Sequence, residues 1–156
     1  MRKTKTWKDN LNDVVRDVIF SDEEMMNYMM IPLDEREDII RFIDKYCIRD
    51  PAPDELVTTE DVRICYGELA GRSIGKNMLD KLLFFDVYVK NDHLHDVGDD
   101  LLAFRTDAIC QRLKELLTWD KYVCNIDFSY EDDYPLFTKM IGYTRHRIVF
   151  SYKISF

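Results

Sequence analysis

Leu79-Asp80-Lys81-Leu82-Leu83-Phe84-Phe85-Asp86-Val87-Tyr88-Val89-Lys90 is the stretch on which the fold turns. Side chains of an extended chain point alternately to its two sides, so this run sorts into two faces. Leu79, Leu83, Phe85, Val87 and Val89 share one, with Lys81 as the exception. Asp80, Leu82, Phe84, Asp86, Tyr88 and Lys90 share the other. The first reads as a core face. The second mixes aromatic and charged groups, the texture of a surface met by another layer or another protein.

Upstream, Val62, Ile64 and Tyr66 alternate with Arg63 and Cys65 until Gly67 interrupts the strand. Glu68 to Asn77, with Gly71 and Gly75, reads as a hairpin connection or flexible loop. Downstream, Asp99-Asp100 opens a long helix to about Leu117. Its apolar side is Leu102, Phe104, Ala108, Ile109, Leu113, Leu116 and Leu117. Two more strands follow, one alternating through Tyr122, Cys124, Ile126, Phe128 and Tyr130, the other from His146 through Ile148, Phe150 and Tyr152 to Phe156. Between them, Glu131-Asp132-Asp133-Tyr134-Pro135-Leu136-Phe137 reads as an acidic, aromatic loop. The expectation is an α+β domain: a mainly antiparallel sheet of about four strands flanked by one long helix.

The first third reads as helical, near 7–20, 22–30 and 35–47. Trp7, Leu11, Val14, Val15, Val18 and Ile19 form one stripe, and Ser21-Asp22-Glu23-Glu24 fits a helix cap. Pro51 and Pro53 disfavour helix and central strand alike. This divides the chain into an N-terminal helical segment, 1–50, and an α+β domain, 51–156.

With 156 residues, 46% apolar, the chain can fill a core. Its 30 acidic against 22 basic residues, a net charge of −8, argue against broad binding to a phosphate backbone. No run approaches the roughly 18 apolar residues of a membrane span, and no apolar signal core follows the basic start. Cys47, Cys65, Cys110 and Cys124 contain no Cys-x-x-Cys pair, so free thiols in a reducing cytoplasm are expected.

Catalytic motifs are scarce. His146 alternates with Ile148 and Phe150 and reads as a core or interface histidine. His93-Leu94-His95, flanked by Asp92 and Asp96, could offer two metal ligands, but a closed zinc site wants four, so a polar loop is the better reading. Gly75-Lys76 lacks the Ser or Thr of a phosphate loop. Asp132-Asp133 reads as a charged exposed loop rather than a catalytic pair. Met25, Met26, Met29 and Met30 crowd one short helix, either as core filling or as an adaptable interface.

From Asp61 onward the pattern resembles the tail terminator proteins of long-tailed bacteriophages and related minor proteins of the head–tail junction. The likeness rests on Val62-Arg63-Ile64-Cys65-Tyr66-Gly67, the strand Leu82 to Lys90, the polar turn Asn91 to Gly98 with the helix Arg105-Thr106-Asp107-Ala108-Ile109, and the closing strand Gly142-Tyr143-Thr144-Arg145-His146-Arg147-Ile148-Val149-Phe150. It implies a virion protein of the neck or tail, assembled in the host cytoplasm, with no enzymatic activity, no cofactor and no membrane partner. The subunits would form a homohexameric ring that caps the tail tube protein and meets a head-side connector or stopper protein. Genomic DNA would pass through the ring without specific binding, and the acidic balance suits such a channel.

Ring or partner contacts are expected at Met25, Met26, Met29, Met30, Phe84, Tyr88, Tyr134 and Phe137. Channel-facing loops are expected at Arg72, Lys76, Asp132 and Asp133. The alternatives are a stopper or adaptor of the same neck, a small metal-dependent enzyme using His93 and His95, and a peptide-binding module that uses the Met-rich helix as a groove.

Overall fold

The computed structural model describes residues 7–50, 60–74, 78–97, 104–120 and 122–154, with the backbone alone at 7–9, 70–74, 78–80 and 154. Helix α1 (Trp7–Asp13) runs into a π-helical turn, Val14–Ile19, followed by α2 (Glu23–Tyr28), α3 (Leu33–Arg36) and α4 (Ile39–Tyr46). Strands β1 (Cys47–Arg49), β2 (Val62–Ile74) and β3 (Met78–Lys90) precede helix α5 (Arg105–Thr118), and β4 (Ile126–Leu136) and β5 (Tyr143–Ile154) follow it. The class is α+β, as the alternation predicts.

The strands lie in the order β1-β2-β3-β5-β4. All neighbours are antiparallel except β1, which runs parallel to β2 with Cys47 opposite Ile64. The sheet is therefore mixed and, among the described residues, has five strands. The fifth is hidden in the expected helix 35–47, which ends at Tyr46 and passes directly into β1. The expected connection 68–77 is largely strand: β2 and β3 pair as far as Ile74 opposite Met78, with an irregularity between Leu69 and Arg72.

Helices cover one face of the sheet. Helix α5 packs on β3, β4 and β5, α4 packs on β1 and β2, and α2 leans on α5. Val62, Ile64, Leu83, Phe85, Val87, Val89, Ile148 and Phe150 supply the sheet side of one core, which Leu11, Val14, Ile19, Phe20, Met25, Ile109 and Leu113 complete. The N-terminal helices thus share a core with the sheet. The π-helical turn explains how: Phe20 N donates to Val15 O, 3.0 Å away, and this five-residue spacing turns Val14 with Ile19, and Val15 with Phe20, toward the interior.

A bulge decides what β4 presents. Phe128 lies opposite Tyr152 and Tyr130 opposite Phe150, on the helix-covered side. The register then slips between Tyr130 and Asp132, so two residues oppose one and the faces exchange. Beyond it, Asp133 lies under α5, while Asp132 and Tyr134 point to the far side with Val149 and Arg147. Asp132 and Asp133, expected in a loop, are strand residues on opposite faces.

Candidate functional site

On the far face a buried charge cluster sits mid-sheet. Antiparallel pairing sets Asp86 of β3 opposite Arg147, and Tyr88 opposite Arg145. The Asp86 side chain is 3% exposed. It accepts from Arg147 Nε at 2.7 Å, from Arg147 Nη2 at 2.9 Å and from Arg145 Nη2 at 2.5 Å. Arg147 also lies over the Phe84 ring at 4.2 Å, and Arg145 over Tyr88 at 5.5 Å. A buried carboxylate needs such partners, since one left alone would cost several kcal/mol. Cys65, Leu82, Tyr88 and Val149 are buried on this side, outside the main core. Phe84 and Tyr88 thus belong to a charge-aromatic layer, with Tyr134 opposite Arg147 at its margin.

A second polar group lies where α5 crosses β4. Asp107, Cys110, Gln111, Lys114, Asp133 and Ile148 line a cleft of about 240 Å³. His146 Nε2 meets Asp133 Oδ1 at 2.8 Å, and its Nδ1 approaches Asp107 Oδ1 at 4.0 Å. The Tyr130 hydroxyl donates to Asp133, and Lys114 lies over the Tyr130 ring at 4.1 Å. Burial pushes Asp133 up, but the hydrogen bonds from Tyr130 and His146 outweigh it and hold the carboxyl below its usual range. Cysteine, histidine and aspartate side by side invite a nucleophile reading. The thiol argues otherwise: burial, then the charges of Asp133, Asp107 and Asp86, push Cys110 well up, so it stays protonated at neutral pH. The group holds α5 to the sheet.

His93 and His95 do not converge. His93 stands between Asp96, 3.1 Å from Nδ1, and Asp61, 3.4 Å from Nε2. The His95 ring packs on Phe104, centroids 4.9 Å apart. The anchor of this loop is Arg105, 5% exposed, which donates to the backbone oxygens of His93, Asp96 and Tyr28 and to the Asp96 carboxylate. Among the described residues no three His, Cys, Asp or Glu side chains are grouped so as to hold a metal ion.

Met25 and Met29, expected at an interface, are 0% and 1% exposed and belong to the chain's own core; Met26 and Met30 pack half-buried against it. This corrects the surface reading for that helix, because its apolar positions already have neighbours in α5 and a place in the chain's own core. Arg72 lies on β2, and Lys76 lies outside the described residues.

Several other large apolar side chains among the described residues face solvent, Leu33 and Ile40 of the N-terminal helices included. Phe137 and Ile141, in the turn between β4 and β5, are 82% and 98% exposed. Trp119, just past α5, is 85% exposed and borders an open cleft of about 410 Å³ with Arg112, Glu115, Leu116 and Asp120. Of these only Phe137 was legible as a contact residue. Trp119 and Ile141 fall at element ends, where periodicity carries no signal. Asp86, Arg145 and Arg147 become a cluster only once β3 and β5 are set in register.

Compared with family models and with curated proteins, the chain matches none of them. No helix among the described residues is long and apolar enough to cross a membrane.

Proposed function

We propose that this chain is a non-enzymatic structural protein of a bacteriophage neck or tail, a tail terminator whose copies form a ring that caps the tail tube and meets the head-side connector. The observation that carries the reading is the element order from Val62 to Ile154: two paired strands, a helix, and two more strands closing the same sheet. It is the order on which the resemblance to tail terminators rests. Exposed aromatic and aliphatic side chains at separate ends of the molecule add support, because a ring of identical subunits needs two different contact patches on each. A net charge of −8 suits a channel through which DNA slides without adhering.

Electron microscopy of the purified protein, alone and mixed with tail tubes, tests the proposal. Rings that seat on tube ends are expected. Strictly monomeric particles in both samples overturn it. Rings that ignore tubes but bind connector particles move the subunit to the stopper or adaptor position.

A further inference from the structure

We propose that the turn between β4 and β5 of one copy docks into the cleft at the C-terminal end of α5 of the next copy, making a head-to-tail contact. The inference rests on the ring reading and names the surfaces through which the ring closes.

The two patches lie at opposite ends of β4. That strand has 11 residues, and at roughly 3.3 Å per residue its ends stand some 35 Å apart. The cleft lies near the start of the strand, the turn at its finish. Two patches that differ and face apart suit a head-to-tail contact, which propagates from copy to copy and closes when the rotation permits.

Their chemistry is complementary. Residues 136–143 read Leu-Phe-Thr-Lys-Met-Ile-Gly-Tyr, with one lysine and no carboxylate. Phe137 and Ile141 stand almost fully in water, and Gly142, at φ +82°, gives the turn its left-handed corner. In the cleft, Trp119 and Leu116 offer apolar walls. The rim is net negative: Glu115 and Asp120 line it with Arg112, and that one cation is shared by Glu115, Asp22 and Glu24, at 2.8, 2.6 and 3.3 Å. An apolar tip with a lysine thus meets an apolar slot with a negative rim, and a tryptophan is a frequent energetic centre of such contacts.

Native mass spectrometry and light scattering over a concentration series test the contact on the full chain. One variant carries Phe137→Ser with Ile141→Ser, another Trp119→Ser. All three residues are mostly exposed, so circular dichroism and melting should match wild type. Wild type is expected to assemble, and each variant alone should need at least ten-fold more protein to do so. Mixing the two variants should give dimers and nothing larger, because the mixture retains one intact tip and one intact cleft per pair. Lys139→Glu should weaken assembly, and Asp120→Lys in the same chain should restore it. Variants that assemble as well as wild type overturn the docking and leave the ring reading standing. Wild type that stays monomeric, alone and with tail tubes, removes the ring reading and this contact with it.

Discussion

Phe85 and Asp86 are neighbours in β3, both buried, and they sit in opposite environments. Phe85, 0% exposed, stacks on Tyr66 at 5.8 Å and meets Phe150 edge-on at 6.1 Å. Asp86, 2% exposed, is enclosed by two guanidinium groups. The helix-covered side is held by apolar area removed from water, which needs only the right volume in the right place. The far side is held by charges that must match, and its cover is made of its own long side chains. Such a face tolerates size changes better than it tolerates loss of a charge.

The largest predicted effect falls on the apolar side. Phe85→Ala should cost about 4 kcal/mol of unfolding free energy in urea titration, from lost transfer energy plus a cavity. A loss near 1 kcal/mol would mean that the two faces are not so different. Asp86→Ala strands two arginines, and a loss of about 3 kcal/mol is expected from removing one partner of a buried ion pair. Replacing Asp86, Arg145 and Arg147 together by apolar residues should cost less than Asp86→Ala alone; a larger loss would break the account of the charged face.

Asp22 probes the attachment of the N-terminal helices. The Arg112 guanidinium holds this carboxyl below its ordinary range, against the upward push of burial. Its folded pKa therefore lies below its unfolded one, so its contribution is present at neutral pH and is lost as pH falls through about 4 and below. Asp22→Asn, which also weakens the cap to Met25 N, should cost about 1–2 kcal/mol at pH 7 and flatten the acid limb of the stability curve. An unchanged acid limb would assign that dependence to the other carboxyls held low, those of Glu35, Asp96, Glu115 and Asp133.

Phe84→Leu, on the charged side, should cost only about 1 kcal/mol, mostly the contact with Arg147. The smallest effect should come from Cys124. It and Asn125 have φ of 49° and 65° in a two-residue turn closed by Val123 N to Ile126 O at 2.8 Å and Ile126 N to Val123 O at 2.9 Å. Cys124→Asn should raise stability by roughly 0.5 kcal/mol, since asparagine takes a left-handed backbone more readily.

Much of this was legible in the residues. The alternation through Val62 to Tyr66, Leu83 to Val89 and Ile148 to Tyr152 marked strands and the core-facing side of each, because period two is local chemistry. The helical stripe around Ile109, Leu113 and Leu117 did the same for α5. Three segments escaped, the first being the far part of β2, which reads as a connection yet pairs with β3 as far as Ile74. Strand β1 is three residues long and exists through pairing with Ile64, Cys65 and Tyr66, far away in sequence. The segment Glu131–Leu136 reads as loop because its carboxylates dilute the pattern, yet β5 recruits it as an edge strand.

Sequence alone therefore determined the class, the long helix and the paired strands, since these follow from spacing along one chain. Tertiary structure decided the rest. Whether Asp133 faces α5 or the far side depends on one extra residue in a ladder with β5. Whether Asp86 is a lone buried charge or a satisfied one depends on which strand lies beside it. Register is a relation between distant segments, and no local periodicity encodes it.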